Sequence, residues 1–129
     1  MTKGLRYFMF PVTLSCFIST PVFAQTTVLI CGGHNLLPVH ITLDISSNTV
    51  RYQMENTEKA GYSKQEIREK PFADDYVVSA SITDATAHWT TPPDHIVSEG
   101  YTLDRKSNHL VMIYTDDNTI GSEYKCHRR

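Results

Sequence analysis

Hydrophobic and polar residues alternate with a period of two along most of the chain. In segment 40–45 the apolar residues Ile41, Leu43 and Ile45 alternate with polar ones, and segment 50–55 repeats the pattern. Because side chains of a β-strand point alternately to its two faces, both segments predict strands with one solvated face. Six further segments are predicted as strands, several of them rich in β-branched and aromatic residues: 27–31, 76–82, 86–91, 101–105, 109–115 and 122–127. About eight short strands predict an all-β domain, either a small antiparallel barrel or a sandwich.

The turn between the first two of these strands recurs later in the chain. Ser46, Ser47 and Asn48 form this turn, since Asn tolerates the left-handed backbone that a tight hairpin needs. Segment 42–50 matches segment 102–110 at five of nine positions. Two hairpins with the same turn chemistry explain the match, and a duplicated domain would explain it as well.

One polar segment interrupts the alternation. Residues 55–75 contain ten charged side chains, and Ser63 stands three positions before Glu66, the spacing of a helix capping box. This predicts a short helix near 64–70, ended by Pro71. A mobile polar loop is the alternative, because seven residues make a marginal helix without packing.

The first 24 residues have the layout of a signal peptide. Lys3 and Arg6 precede an apolar stretch, and small residues stand before a cleavage site between Ala24 and Gln25. Two other interpretations are a membrane anchor and a lipoprotein signal ending at Cys16. An anchor would need roughly 20 apolar residues to cross the hydrocarbon core, and this stretch is shorter. We therefore expect a signal peptide at 1–24, no stable membrane insertion, and a single exported domain over 25–129.

Removal of the signal makes the protein more acidic. The whole chain has 12 Lys and Arg against 14 Asp and Glu. The signal removes two cations and no anion, which leaves a formal net charge of −4. This charge disfavours nucleic acids and anionic membranes and suits a cationic protein partner. It does not specify the oligomeric state.

The domain after the signal retains two cysteines, Cys31 and Cys126. In the oxidising environment of an exported protein, an even pair predicts one disulfide bond. A reactive thiol or a metal-binding pair is the alternative, but the two residues lack CxxC spacing. We expect the bond to tie the first strand to the last.

The sequence contains no familiar catalytic motif, and we identify no catalytic, cofactor-binding or metal-binding residue. Residues 116–121 have some features of a calcium loop, but Ile120 occupies a ligand position, so a turn is predicted. Trp89 is expected in the core. Six histidines could hold a metal only if three converge, or two with a carboxylate. They are scattered along the chain: His34, His40, His88, His95, His109 and His127.

The layout of the chain resembles small exported bacterial β-domain proteins of uncharacterised function. The features that carry this resemblance are the signal, the early cysteine and three short motifs: Ile82-Thr83-Asp84 followed by Trp89, Leu103-Asp104-Arg105, and Tyr124 with Cys126. The plan is also similar to that of periplasmic inhibitors of c-type lysozyme. The inhibitory motifs of that family are not reproduced by Ser98-Glu99-Gly100 or Trp89-Thr90-Thr91, so no functional residue is transferred.

These observations predict a periplasmic or secreted protein without enzymatic activity or cofactor. Its expected role is to bind a protein partner, in the manner of an inhibitor or an immunity protein. One alternative is a barrel that holds a small apolar ligand in its lumen. A second alternative is a hydrolase with a histidine-bound metal.

Overall fold

The structure is a computed structural model that describes residues 25–129. Nine strands run through this part of the chain: β1 Thr26–Gly32, β2 Val39–Asp44, β3 Thr49–Glu55, β4 Phe72–Ser79, β5 Ser81–Ile82, β6 Thr86–Thr90, β7 Glu99–Asp104, β8 His109–Tyr114 and β9 Thr119–Arg128. A 3-10 turn, Glu58–Ala60, and one helix, α1 Lys64–Glu69, lie between β3 and β4. The expected signal peptide and its cleavage site at Ala24 lie outside the described residues.

All nine strands belong to one antiparallel sheet that closes on itself almost completely. The strand order is β4-β3-β2-β1-β9-β8-β7-β6-β5. The two strands at the ends of this order, β4 and β5, are consecutive in the chain and separated only by Ala80. The sheet therefore curls into a barrel, and the prediction of an all-β domain is confirmed with the barrel as its form.

The segment 76–82, predicted as one strand, is divided in the structure. β4 pairs with β3, whereas β5 pairs with β6, so the chain changes its partner at Ala80. β4 also begins earlier than predicted, at Phe72, inside the charged segment. Its charged residue Asp75 lies on the outer face, where Arg51 of β3 donates two hydrogen bonds to the carboxylate at 3.0 and 2.9 Å. The first part of β4 was not predicted because its charged residues made segment 72–75 look like part of the polar segment.

The barrel is built from two four-stranded units with the same pairing. Thr26 opposes Asp44 between β1 and β2, and Thr86 opposes Asp104 between β6 and β7, sixty residues later. The register between β2 and β3 recurs between β7 and β8 with the same displacement. The nine-residue match in the sequence is therefore the visible part of a structural repeat that extends well beyond the turn.

The two matching turns have the predicted chemistry. Asn48 has a φ of 53° and Asn108 a φ of 58°, both in the left-handed region. The Asp104 carboxylate accepts backbone hydrogen bonds from the two residues after Arg105, at 2.9 and 3.1 Å. Asp44 accepts the equivalent bond from Ser47 in the first turn. The two backbone bonds hold the pKa of Asp104 below the usual value. The pKa of Asp44 is lowered as well, first by the hydrogen bond that the Ser46 hydroxyl donates and then by the Ser47 N–H.

Inward-facing side chains fill the barrel. Trp89 is buried, as expected, and stacks on Tyr101 with ring centroids 5.3 Å apart. Tyr52 stacks on Tyr76 at 5.0 Å and contacts Tyr101 at 5.1 Å. Large aliphatic residues occupy seven of the other core positions: Leu29, Val39, Ile41, Leu43, Val50, Leu103 and Leu110.

The predicted disulfide joins the first and last strands. Cys31 of β1 and Cys126 of β9 are directly opposed in the register, bonded to each other and buried. The bond is consistent with the oxidising environment of an exported protein. Within residues 25–129, none of the helical segments has the length and apolar character required to cross a membrane.

The helix predicted in the polar segment is present. The backbone N–H of Glu66 donates to the Ser63 hydroxyl at 3.1 Å, and the Glu66 carboxylate accepts from the Ser63 N–H at 2.8 Å. This is a complete capping box. The side-chain amide of Asn56 donates to the Lys70 carbonyl at 2.7 Å and fixes the end of the helix to the barrel.

Candidate functional site at one rim of the barrel

The two ends of the barrel differ in the length of their connections. One end, called the turn end, carries three short turns: 45–48, 83–85 and 105–108. The opposite end, called the loop end, carries three longer connections, 33–38, 56–71 and 91–98, and one turn of four residues, 115–118. Binding residues are often found on loops that a rigid scaffold positions, which makes the loop end the candidate binding site.

The connection 91–98, called the rim loop, presents apolar side chains to solvent. Ile96 is completely exposed and Val97 is 50% exposed. Two other large apolar residues are exposed at the neighbouring ends of β8 and β9, Tyr114 and Ile120. Only two more large apolar residues are exposed within the described part of the chain, Tyr62 and Val77. Four of the six exposed large apolar residues of the described chain therefore lie at the loop end, on or next to the rim loop.

The rim loop is held at both of its ends. The backbone N–H of Thr91 donates to the Glu99 carbonyl at 2.9 Å, and the Glu99 N–H donates to the Thr91 hydroxyl at 3.1 Å. The Ser98 carbonyl accepts from the N–H of Thr115 at 3.2 Å. Two consecutive prolines restrict the backbone just after Thr91. The exposed tip is thus carried on a constrained loop.

His95 fastens the middle of the rim loop to β4. Its Nε2 lies 3.3 Å from both carboxylate oxygens of Asp74. Its Nδ1 lies 3.5 Å from a carboxylate oxygen of Asp94 in the same loop. The imidazole also meets the ring of Tyr76 edge-on, with centroids 5.4 Å apart. Ile96 follows directly after this anchored residue, which limits the positions that the tip can adopt.

A buried polar network lies beneath the rim loop. The Tyr101 hydroxyl lies 3.2 Å from the Tyr52 hydroxyl and 3.3 Å from a Glu99 carboxylate oxygen. The indole N–H of Trp89 donates to the Tyr76 hydroxyl at 3.3 Å. Burial raises the pKa of Tyr52, Tyr76 and Tyr101. These hydroxyls therefore stay protonated and serve as fixed hydrogen-bonding groups below the loop.

Glu99 is the half-buried carboxylate of this network. Partial burial raises its pKa, and the nearby charge of Asp74 acts in the same direction. The hydrogen bond from Tyr101 opposes the shift. A carboxylate with a raised pKa could exchange protons with a bound molecule, and it also adds negative charge to the rim.

Two neighbouring connections of the loop end are acidic, whereas the connection 56–71 carries Lys59, Lys64, Arg68 and Lys70 beside three glutamates. The connections 91–98 and 115–118 contain Asp94, Asp116 and Asp117 and neither lysine nor arginine. These two connections are adjacent, since Thr115 is bonded to the rim loop. The rim loop and its neighbouring connection therefore carry an apolar tip and three carboxylates. Such a surface fits a partner that presents an apolar cleft with cationic residues around it.

The six histidines do not come together. His95 pairs with Asp74, His109 Nε2 lies 3.2 Å from a Glu123 oxygen, and His88 Nδ1 lies 3.0 Å from the Thr102 hydroxyl. Residues 25–129 contain no group of three histidine, cysteine or acidic side chains placed to hold a metal ion.

His40 is one of the polar residues that alternate with Ile41, Leu43 and Ile45, a position that predicts a solvated strand face. Its side chain is on the outer face, but the ring of Phe72 and the carboxylate of Glu55 cover it. His40 and Glu55 form a hydrogen-bonded pair. His40 is less solvated than the alternation predicts because β4 begins early, at Phe72, a residue that lies within the polar segment 55–75.

The alternation of hydrophobic and polar residues did not predict the exposed tip of the rim loop. Ile96 and Val97 are two adjacent apolar residues between polar neighbours, out of phase with the alternation of the strands. That break in periodicity is the signal that could have identified them.

In comparisons with known proteins, no protein-family model, no curated protein and no solved structure gives a significant match to the chain. The fold defines the protein as a small antiparallel β-barrel with one internal disulfide. The resemblance in layout to small exported β-domain proteins stays a prediction.

Proposed function

We propose that the protein is an exported, non-enzymatic binding protein whose loop end contacts a cationic protein partner. The observation that carries this proposal is the exposure of Ile96 and Val97 on a loop fixed at both ends. Exposed apolar side chains gathered on a protein surface mark interaction sites. A constrained loop loses little conformational entropy on binding, which favours affinity.

Charge supports a basic partner. The rim loop and the adjacent connection 115–118 carry the carboxylates of Asp94, Asp116 and Asp117, and the exported domain as a whole is acidic. Complementary charge speeds the encounter between two proteins and selects against acidic competitors. The apolar contact then determines how long the complex lasts. An inhibitor or an immunity protein directed at a basic effector or hydrolase would use such a surface.

The packing of the interior favours a surface site over a lumenal one. Large side chains with under 2% exposure occupy the barrel interior, among them Tyr52, Tyr101 and Ile41. A protein that holds an apolar ligand inside a barrel needs a cavity in that place. The signal-like N-terminus and the Cys31–Cys126 bond support a periplasmic or secreted location.

Differential capture from the native compartment tests the proposal. The purified protein is immobilised in three forms: the natural sequence, a variant with Ile96→Asp and Val97→Asp, and a control with Val77→Asp. Val77 is 59% exposed on β4, outside the rim loop and its neighbouring strand ends, so its substitution places one aspartate at an exposed apolar position elsewhere. Bound proteins from an envelope and secretome extract are quantified by mass spectrometry.

We expect a basic protein that is retained by the natural sequence and by Val77→Asp and lost from the rim-loop variant. Its retention should fall as the salt concentration rises from 50 to 500 mM, because salt screens exposed charges. Equal capture by all three forms, or the absence of any basic protein with this pattern, would contradict the proposal.

A further inference from the structure

A polar depression lies at the mouth of the barrel on the turn end, opposite the rim loop. It has a volume of about 200 Å³, and two arginines, Arg105 and Arg128, contribute to its walls. Both occupy inward positions by strand alternation. Arg105 follows the buried Leu103 by two residues, and Arg128 follows the buried Cys126 by two. Arg105 is half-buried in the turn after β7 and Arg128 is exposed near the end of β9, so both guanidinium groups lie at the solvent-accessible mouth of the barrel and not in its core.

The internal repeat shows that the fold does not need an arginine at position 105. The N–H of Arg105 donates to the Ala85 carbonyl at 2.8 Å, and the N–H of Ile45 donates to the Gln25 carbonyl at 2.9 Å. Ile45 lies sixty positions before Arg105, and Gln25 lies sixty positions before Ala85. Ile45 is therefore the structural equivalent of Arg105, and an isoleucine serves at this position.

The same comparison applies to Arg128. The N–H of Cys126 donates to the Asn108 carbonyl at 2.8 Å, and the N–H of Ala80 donates to the Asn48 carbonyl at 2.9 Å. Ala80 is thus the equivalent of Cys126. Two residues further on, Ile82 is the equivalent of Arg128, and it packs against the core. The half of the barrel that closes at β5 uses aliphatic residues where the other half uses two guanidinium groups.

Within the described residues, neither guanidinium forms a salt bridge. In residues 25–129, no carboxylate lies within 4.0 Å of Arg105 or Arg128, although Asp84 contributes to the wall of the depression. Nη1 of Arg105 donates to the Thr83 carbonyl at 2.6 Å, which fixes the side chain and leaves other N–H donors available. The buried side chains of Leu29 and Leu43 also border the depression and reduce its solvation.

We infer that the turn-end depression binds a small oxyanion, a carboxylate or a phosphate group, between Arg105 and Arg128. The guanidinium fork matches the paired oxygens of these groups and can donate two parallel hydrogen bonds. The depression is large enough for one such group and too small for a drug-sized molecule. The site lies at the end of the barrel opposite to the proposed protein-binding surface and does not depend on it.

The test is a titration of the purified protein followed by backbone amide NMR shifts. The probes are inorganic phosphate and acetate, each compared with sodium chloride at equal ionic strength. The main variant combines Arg105→Ile with Arg128→Ile, the residues that the fold itself uses at the equivalent positions. The control is Lys106→Gln, which removes a charge from an exposed residue of the same turn.

We expect saturable shifts at Asn108 and Arg105 with phosphate or acetate, with an affinity of about millimolar order. The double variant should bind at least about tenfold more weakly, because both guanidinium forks are lost. Lys106→Gln should change the affinity by less than about twofold, as expected for an exposed charge. Saturation by phosphate but not acetate identifies a phosphate site, and the reverse identifies a carboxylate site. Shifts no larger than those caused by chloride, or equal binding by a folded double variant, would overturn the inference.

Discussion

The disulfide between Cys31 and Cys126 should supply a large part of the stability of this barrel. The two residues are 95 positions apart, so the bond closes nearly the entire described chain into one loop. In the chain-entropy description, closing a loop of this length stabilises the folded state by about 4.7 kcal/mol at 25 °C. A domain of this size has a total stability of roughly 5–15 kcal/mol. We therefore expect reduction to remove between a third and most of it.

The measurement is urea unfolding followed by circular dichroism, with oxidised and fully reduced protein compared. Reduction keeps both sulfur atoms in the core, so the difference reports the cross-link and not a change in packing. We expect a loss of about 4–5 kcal/mol. For a domain of about 100 residues, this corresponds to a decrease in Tm of roughly 15–30 °C.

A variant with Cys31→Ala and Cys126→Ala provides the control. Its stability should match or fall slightly below that of the reduced protein, because the truncation also removes buried sulfur atoms. A difference of less than about 1 kcal/mol between oxidised and reduced protein would refute the reasoning, since the loop-closure contribution would then be missing. Alkylation of both cysteines without prior reduction would show that the bond does not form.

Three further substitutions test other parts of the structure. Glu99→Gln should be more stable than the natural protein at pH 7 by less than about 1 kcal/mol, since this partly exposed carboxylate is only partly desolvated. Burial raises the pKa of Glu99, so the favourable protonated form is lost as the pH rises through the folded-state pKa. In thermal unfolding, the stability difference between Glu99→Gln and the natural protein should disappear below pH 4.5, the usual glutamate pKa. A difference that persists there would contradict a raised pKa of Glu99 as its cause. Asn108→Ala should lower the free energy of unfolding in urea by about 1–2 kcal/mol, because alanine is strained at positive φ. Asn108→Gly should be tolerated, and equal effects of the two substitutions would contradict the left-handed backbone at this position. Ser63→Ala removes the helix cap and should weaken α1 by about 1 kcal/mol, seen as faster amide exchange at Glu66. Unchanged exchange would mean that packing alone holds the helix.

The strands and turns could be predicted because one face of each strand is buried and the other is solvated. Leu43 and Leu103 take the same place in their hairpins, and Asn48 and Asn108 take the same strained turn position. The extent of the structural repeat could not be predicted in this way. Equivalent core positions hold different residues, such as Leu29 and Trp89, because the barrel conserves the direction of a side chain but not its size.

Closure of the barrel was not visible in the sequence either. It depends on the change of partner at Ala80, which is determined by strands far away in the chain and not by local residues. The candidate site was missed for a related reason. The strands were predicted on the assumption that large apolar residues are buried. Ile96 and Val97 are exposed, so that assumption could not identify them as a binding surface. The residues of the proposed binding surface lie at positions where the expected burial of apolar side chains does not hold.

Photo-crosslinking at the tip of the rim loop is the most direct test of the proposed function. A photo-reactive amino acid replaces Val97 in one variant and Val77 in the other, and both are expressed with the natural N-terminus in the native organism. If the loop end is the contact surface, irradiation of intact cells produces an adduct with one basic protein at position 97 and none at position 77. Absence of an adduct at position 97, or equal adducts at both positions, would contradict the proposed binding surface.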